Sequence, residues 1–165
     1  MSKIIGSFSI KLGRIQAAKE VFEDRDPNLC SDIPTTVLQG PDREEVLELF
    51  SIDDLDHDPS HEEIEAEYAS LGLERSRKEN AIRFANQYRE QPSREIRQEI
   101  TFYLQTKDFQ SSQFGICPAV TLWRDDTGNG RRLDKSGHND CGPRHNGKNY
   151  RWNRKGVLFA GVRKP

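Results

Sequence analysis

The chain has 165 residues, of which 32% are charged and 33% hydrophobic, and its formal net charge is −2. This length suits a single domain over residues 1–165, and a net charge so close to zero argues against an intrinsically disordered chain. No apolar stretch approaches the roughly 18 residues that a membrane-spanning helix needs, so the composition excludes a helical membrane protein.

Hydrophobic periodicity predicts an N-terminal strand followed by helices. Apolar and polar residues alternate over 4–12, which indicates a strand. Helical spacing predicts a short helix beginning near Ile15, and a brief strand is expected over 33–38. A Pro-Asp pair then introduces acidic residues and apolar residues at helical spacing over 46–50, so we expect a second helix there.

The middle of the chain is predicted to contain three more helices. Ser60 and Glu63 have the spacing of a capping box, which predicts a helix that ends at Gly72. Apolar residues at helical spacing predict the next two helices over 77–88 and 93–104.

The C-terminal region is predicted to contain three strands, at 119–123, 149–152 and 157–162. We therefore predict an α+β fold with three to five central helices packed on a small antiparallel sheet, formed mainly by the C-terminal strands, and a long Gly-rich loop. Its acidic, mainly helical part would cover 13–106, and its basic part of strands and loops would cover 116–165.

Charge is sorted along the chain. Residues 20–74 carry 18 acidic and two basic residues, whereas the segment from 131 to the C-terminus carries ten basic and two acidic residues. One interpretation is that the two halves neutralise each other or are simply solvated. The alternative is that the basic segment binds a polyanion, while the acidic segment binds a basic partner or shields the basic site.

A basic segment with interleaved aromatic residues is the strongest candidate for a binding site. On a strand, Tyr150 and Trp152 would share one face with flanking cations, which suits single-stranded nucleic acid because bases stack on rings and cations neutralise phosphates. The alternative is that both rings face the core. The predicted nucleic-acid-binding residues are Arg131, Arg132, Arg144, Lys148, Tyr150, Arg151, Trp152, Arg154 and Lys155.

A Gly-rich segment over 124–149, which begins with a turn signal at 125–130, contains a possible zinc site. The candidate ligands of this zinc site are Cys117, which lies upstream of the segment, and His138, Cys141 and His145. The alternatives are a flexible loop with solvent-facing histidines and a core role for the Cys117 thiol. The two histidines beside asparagines are also loosely similar to the metal sites of ββα-metal nucleases, although the strand predicted at 149–152 stands where those sites need a helix.

Three cysteines are too few, and odd in number, for a disulfide scaffold, and the N-terminus lacks a secretory apolar core, so we expect a cytoplasmic protein. The first functional hypothesis is a non-catalytic accessory or regulatory protein that binds nucleic acid through its basic C-terminal region. The second is a protein-binding adaptor or inhibitor that uses the acidic segment 20–74. The third is a metal-dependent nuclease that uses His138 and His145.

Overall fold

The computed structural model describes residues 3–19, 29–31, 33, 40–93, 98–112, 115–124, 130–135, 152 and 155–165. Strands account for 46% of the structure and helices for 24%. The predicted architecture, with central helices packed on a small antiparallel sheet, is therefore wrong. The described part of the chain is organised around one large sheet, and its helices lie against that sheet.

The described residues form ten strands and three helices. The strands are β1 (Lys3–Leu12), β2 (Leu29–Ser31), β3 (Arg43–Ser51), β4 (Leu73–Arg75), β5 (Glu99–Tyr103), β6 (Gln110–Ser112), β7 (Gly115–Cys117), β8 (Ala119–Arg124), β9 (Arg131–Lys135) and β10 (Val157–Arg163). The helices are α1 (Arg14–Lys19), α2 (His61–Ser70) and α3 (Lys78–Gln87), and a single 3₁₀ turn covers Thr106–Asp108.

Seven strands lie side by side in the order β1-β3-β10-β5-β8-β9-β2. The sheet is mixed, because β10 runs parallel to β5 and β2 runs parallel to β9, whereas the other neighbours along this order are antiparallel. The short strand β4 pairs with the last residues of β10, beyond the residues that pair with β5. A separate hairpin is formed by β6 and β7.

The sheet has a hydrophobic core on each face, because successive side chains of a strand point to opposite sides. Leu158 and Ala160 of β10 join a cluster that includes Phe84 of α3. Phe159, between them, joins a second cluster that includes Tyr68 of α2. The helices α3 and α2 therefore cover opposite faces of the sheet, and we name these faces after them.

Two segments that were predicted as helices are strands. Residues 46–50 belong to β3, and the described part of 93–104 contains β5. In β3, Leu47 and Leu49 face the α3 core, whereas Phe50 faces the α2 core. A strand that is buried on both faces carries apolar residues at consecutive positions, and such a run satisfies helical spacing equally well. Part of the predicted Gly-rich loop is also a strand, since β9 pairs with β8 there.

Several other predictions are confirmed, namely the strands β1, β8 and β10 and the helices α2 and α3. The capping box opens α2: the Ser60 hydroxyl accepts from the Glu63 N–H at 3.2 Å, and the Glu63 carboxylate accepts from the Ser60 N–H at 2.7 Å. Gly72 follows the helix with a φ of 70°, a conformation that favours glycine. The predicted strands at 33–38 and 149–152 lie outside the described residues except for Ile33 and Trp152.

Candidate nucleic-acid interface

The hairpin of β8 and β9 brings a tryptophan and an arginine together on the α2 face of the sheet. Trp123 and Arg132 are direct cross-strand partners, and the guanidinium carbon lies 6.0 Å from the centre of the indole ring. Asp134 holds both side chains: it accepts from the indole N–H at 2.6 Å, and its other oxygen lies 3.5 Å from Nε of Arg132. We call these three residues the Trp123 patch.

The Trp123 patch has the chemistry of a stacking platform. The Arg132 side chain is 46% exposed and Trp123 is half-buried. Because the indole N–H already has an acceptor, what the ring still offers a ligand is its π surface. A planar base can stack on such a surface or on the neighbouring guanidinium, while the positive charge attracts phosphate.

Arg131, the residue before Arg132, has a different role. It lies on the α3 face, and only 1% of its surface is exposed. Its guanidinium donates to the carbonyl oxygens of Ala85 at 2.6 Å, Gln91 at 3.0 Å and Tyr88 at 3.3 Å, at and just beyond the end of α3. A cation at this position complements the negative end of the helix dipole. The side chain is therefore structural and is not accessible to a phosphate in this structure.

Trp152 is also buried, with 5% of its surface exposed. Its indole N–H donates to Nδ1 of His61 at 3.1 Å, and its ring centre lies 5.3 Å from that of Tyr103 and 5.6 Å from that of Phe159. This ring therefore follows the alternative interpretation, in which the aromatic residue faces the core beneath α2. Its faces contact other aromatic side chains and are not presented to a base.

The remaining predicted binding residues are only partly covered by the structure. Lys155 is exposed in the turn before β10. The other five, Arg144, Lys148, Tyr150, Arg151 and Arg154, lie outside the described residues. Their contribution to nucleic-acid binding stays a prediction.

Sequence reasoning missed Trp123, although a signal for it was present. If the residues that flank the predicted turn at 125–130 pair with each other, Arg124 lies opposite Arg131 and Trp123 lies opposite Arg132. This is the observed register. Strand alternation then places the two pairs on opposite faces. This pairing rule would have distinguished the exposed Arg132 from the buried Arg131.

Of the four predicted zinc ligands, the structure describes only Cys117. Cys117 is fully buried and takes part in a disulfide. A disulfide sulfur lacks the thiolate charge that binds zinc. The other candidates, His138, Cys141 and His145, also lie outside the described residues, so both the zinc site and the nuclease site stay predictions. The residues that the structure describes contain no group of three or more potential metal ligands.

The acidic segment presents a charged surface at the entrance to α2. The exposed acids there are Asp53, Asp54, Asp56, Asp58 and Glu62. His57 lies within this surface, with its ring nitrogens 2.5 Å from the Asp56 carboxylate and 2.6 Å from that of Glu63. The hydrogen bond from the Ser60 backbone, together with that from His57, lowers the pKa of Glu63 to about 2. The hydrogen bonds with the carboxylates of Asp56 and Glu63 raise the pKa of His57.

No family model, curated protein or solved structure matches this chain. None of the helices in the described residues is long and apolar enough to cross a membrane. The functional proposals below therefore rest on local geometry and charge.

Proposed function

We propose that the protein binds single-stranded nucleic acid through the Trp123 patch and the basic segment from 131 to the C-terminus, as a non-catalytic accessory or regulatory factor. The single observation that carries the proposal is the partly exposed indole of Trp123 directly opposite the exposed guanidinium of Arg132. A base stacked on an aromatic side chain contributes about 1–3 kcal/mol, and the adjacent cation neutralises phosphate charge.

The distribution of charge supports the same surface. Eight of the ten basic residues from 131 onward remain candidates once the buried Arg131 and Arg163, which pairs with Glu48, are set aside, against two acidic residues in that segment. The strand β9 also lies near one end of the sheet, where β2 is the last strand. Arg132 therefore places a positive charge beside the ring of Trp123 near an end of the sheet.

The experiment is a titration of a fluorescently labelled oligothymidine and an oligouridine of about 20 nucleotides, longer than a typical single binding site, followed by anisotropy. We expect the logarithm of the affinity to fall linearly with the logarithm of salt concentration. Trp123→Ala should weaken binding by about 1–3 kcal/mol, whereas Trp123→Phe should retain most of it, since phenylalanine keeps a π surface.

Charge variants provide the matched control. Arg132→Gln should weaken binding to all sequences and lower the salt slope by about one. Lys11→Gln removes a cation from an exposed residue of β1, at the other end of the sheet, and should have no such effect. No measurable binding of either oligonucleotide at low salt, or equal losses in Arg132→Gln and Lys11→Gln, would contradict the proposal.

A second candidate function is favoured by the acidic surface at the entrance to α2, where five exposed acids lie within ten consecutive residues. Such a surface suits a basic protein partner. We expect a partner captured by the protein to survive nuclease treatment and to be lost in the charge-reversed double variant Asp54→Lys and Glu62→Lys. Retention of the partner by that variant, when Glu90→Lys serves as the exposed control, would remove this candidate.

A further inference from the structure

A polar cleft lies at the beginning of α3, on the α3 face of the sheet and away from the Trp123 patch. Its volume is about 460 Å³, a size typical of small-molecule sites. The charged and amide side chains that line it come from β3, β4, the beginning of α3 and the 3₁₀ turn with the residue before it: Arg43, Glu45, Glu74, Arg77, Asn80, Gln105 and Lys107.

A buried carboxylate holds two of the arginines that line the cleft. Glu79 has a side chain that is only 6% exposed, and one of its oxygens accepts from both Arg43 at 3.0 Å and Arg77 at 3.1 Å. Its other oxygen accepts from the backbone N–H of Gly13 at 3.2 Å. Because the two guanidinium groups share one oxygen atom, they are fixed next to each other in the lining of the cleft.

A second carboxylate, that of Glu45, also accepts a hydrogen bond at each of its oxygens. Glu45 accepts from Nε of Arg43 at 3.1 Å through one oxygen and from the amide of the buried Asn80 at 3.1 Å through the other. Arg43 and Arg77 therefore form a network with the carboxylates of Glu45 and Glu79, and the four charges cancel. The charge that a ligand can meet comes from the other charged residues of the lining and from the remaining donors of Arg77.

Further charged groups of both signs line this cleft and are not paired with each other. Within the part of the chain that the structure describes, Nε and Nη1 of Arg77 and the ammonium of Lys107 make no hydrogen bond or ion pair, and neither does the carboxylate of Glu74. The cleft therefore offers positively charged hydrogen-bond donors and a negatively charged hydrogen-bond acceptor, with the open space of the cleft between them. A simple anion would meet repulsion from Glu74, and a simple cation would meet repulsion from Lys107 and Arg77.

We propose that this cleft binds a small zwitterion that carries a carboxylate and an ammonium group, such as an amino acid or a short peptide. The carboxylate lies against Arg77 and Lys107, where a guanidinium provides paired donors. The ammonium lies against Glu74. This site is separate from the Trp123 patch, because the residues that line the cleft include none of Trp123, Arg132 and Asp134.

The test uses calorimetric titration of the intact protein with a panel of the twenty common amino acids and glycylglycine. Acetate and ethylammonium serve as probes that carry only one of the two charges. We expect at least one zwitterion to bind about tenfold or more tightly than either single-charge probe. Acetate binding as tightly as every zwitterion, or the absence of any heat from the panel at about 10 mM, where even a Kd in the millimolar range is detectable, would overturn the proposal.

Two variants locate the bound charges. Glu74 and Lys107 are exposed, and among the described residues their side chains make no hydrogen bond or ion pair, so Glu74→Gln and Lys107→Gln should fold normally. Each should weaken the zwitterion about tenfold, while the matched exposed controls Glu62→Gln and Lys11→Gln should not. Affinity that is unchanged in Glu74→Gln would show that no ammonium group is recognised and would also overturn the proposal.

Discussion

Two consecutive arginines of β9 should respond to the same substitution in opposite ways. Arg131→Ala should reduce stability without a direct effect on nucleic-acid binding, and Arg132→Ala should reduce nucleic-acid binding while leaving stability almost unchanged. The reason is strand alternation, which directs Arg131 to the end of α3 and Arg132 to the exposed Trp123 patch.

The magnitudes follow from the contacts of each side chain. Arg131→Ala removes the donor from three carbonyl oxygens, of which that of Ala85 belongs to a fully buried residue. A hydrogen bond from a charged donor contributes about 1.5–3 kcal/mol, but Tyr88 and Gln91 are only half-buried, so water can replace part of what is lost. We expect the free energy of unfolding to fall by about 3–5 kcal/mol, as when one member of a buried charged interaction is removed.

Arg132→Ala should cost far less, because its ion pair spans 3.5 Å and its side chain is 46% exposed. Exposed pairs of this kind contribute at most about 1 kcal/mol. Urea unfolding followed by circular dichroism measures both variants, and Arg131→Lys keeps the charge without the planar fork. The unfolding free energy of Arg131→Lys should lie between those of the wild type and Arg131→Ala. It can be measured even if Arg131→Ala does not fold. Identical urea midpoints for the wild type and both Arg131 variants would refute the argument.

Three further predictions concern packing and ionisation. Gly161→Ala should lower the unfolding free energy by about 1–3 kcal/mol, measured by urea titration, because a Cβ there would lie 2.9 Å from the ring of Tyr68. Tyr68→Phe should cost about 1 kcal/mol, again by urea titration, since its buried hydroxyl donates to the Ala160 carbonyl at 2.8 Å. The pKa of Glu63, about 2 because of the Ser60 backbone hydrogen bond, lies below its ordinary value of 4.5, so its stabilisation is present above pH 4.5 and is lost as the pH falls toward 2. Glu63→Gln should therefore flatten the pH dependence of unfolding between those values, and an unchanged slope would contradict this.

Local sequence signals correctly predicted the elements that begin with a recognisable cap or that have one apolar and one polar face. The capping box identified α2, and alternation identified β1, because its α3 face is apolar and its other face carries Ser7 and Ser9. The same rules failed for β3 and β5, since both strands are covered on two faces and lose their alternation. The size of the sheet depends on pairing between distant segments, such as β5 with β10. Single-strand periodicity carries no information about that pairing.

The charge asymmetry of the sequence can indicate a binding surface only where the charged side chains remain exposed after folding. Glu48, from the acidic segment, is almost completely buried and accepts from Nε of Arg163 at 2.7 Å and from the hydroxyl of Ser7. One acid of the first half is therefore paired with one base of the last strand, Arg163, whose side chain is still 54% exposed. Arg131 is held by carbonyl oxygens at the end of α3. A count of charges along the chain overstates the charge that a partner can meet. The salt dependence of nucleic-acid binding should accordingly reflect only exposed cations such as Arg132, and its slope should be smaller than the ten basic residues of the C-terminal segment would suggest.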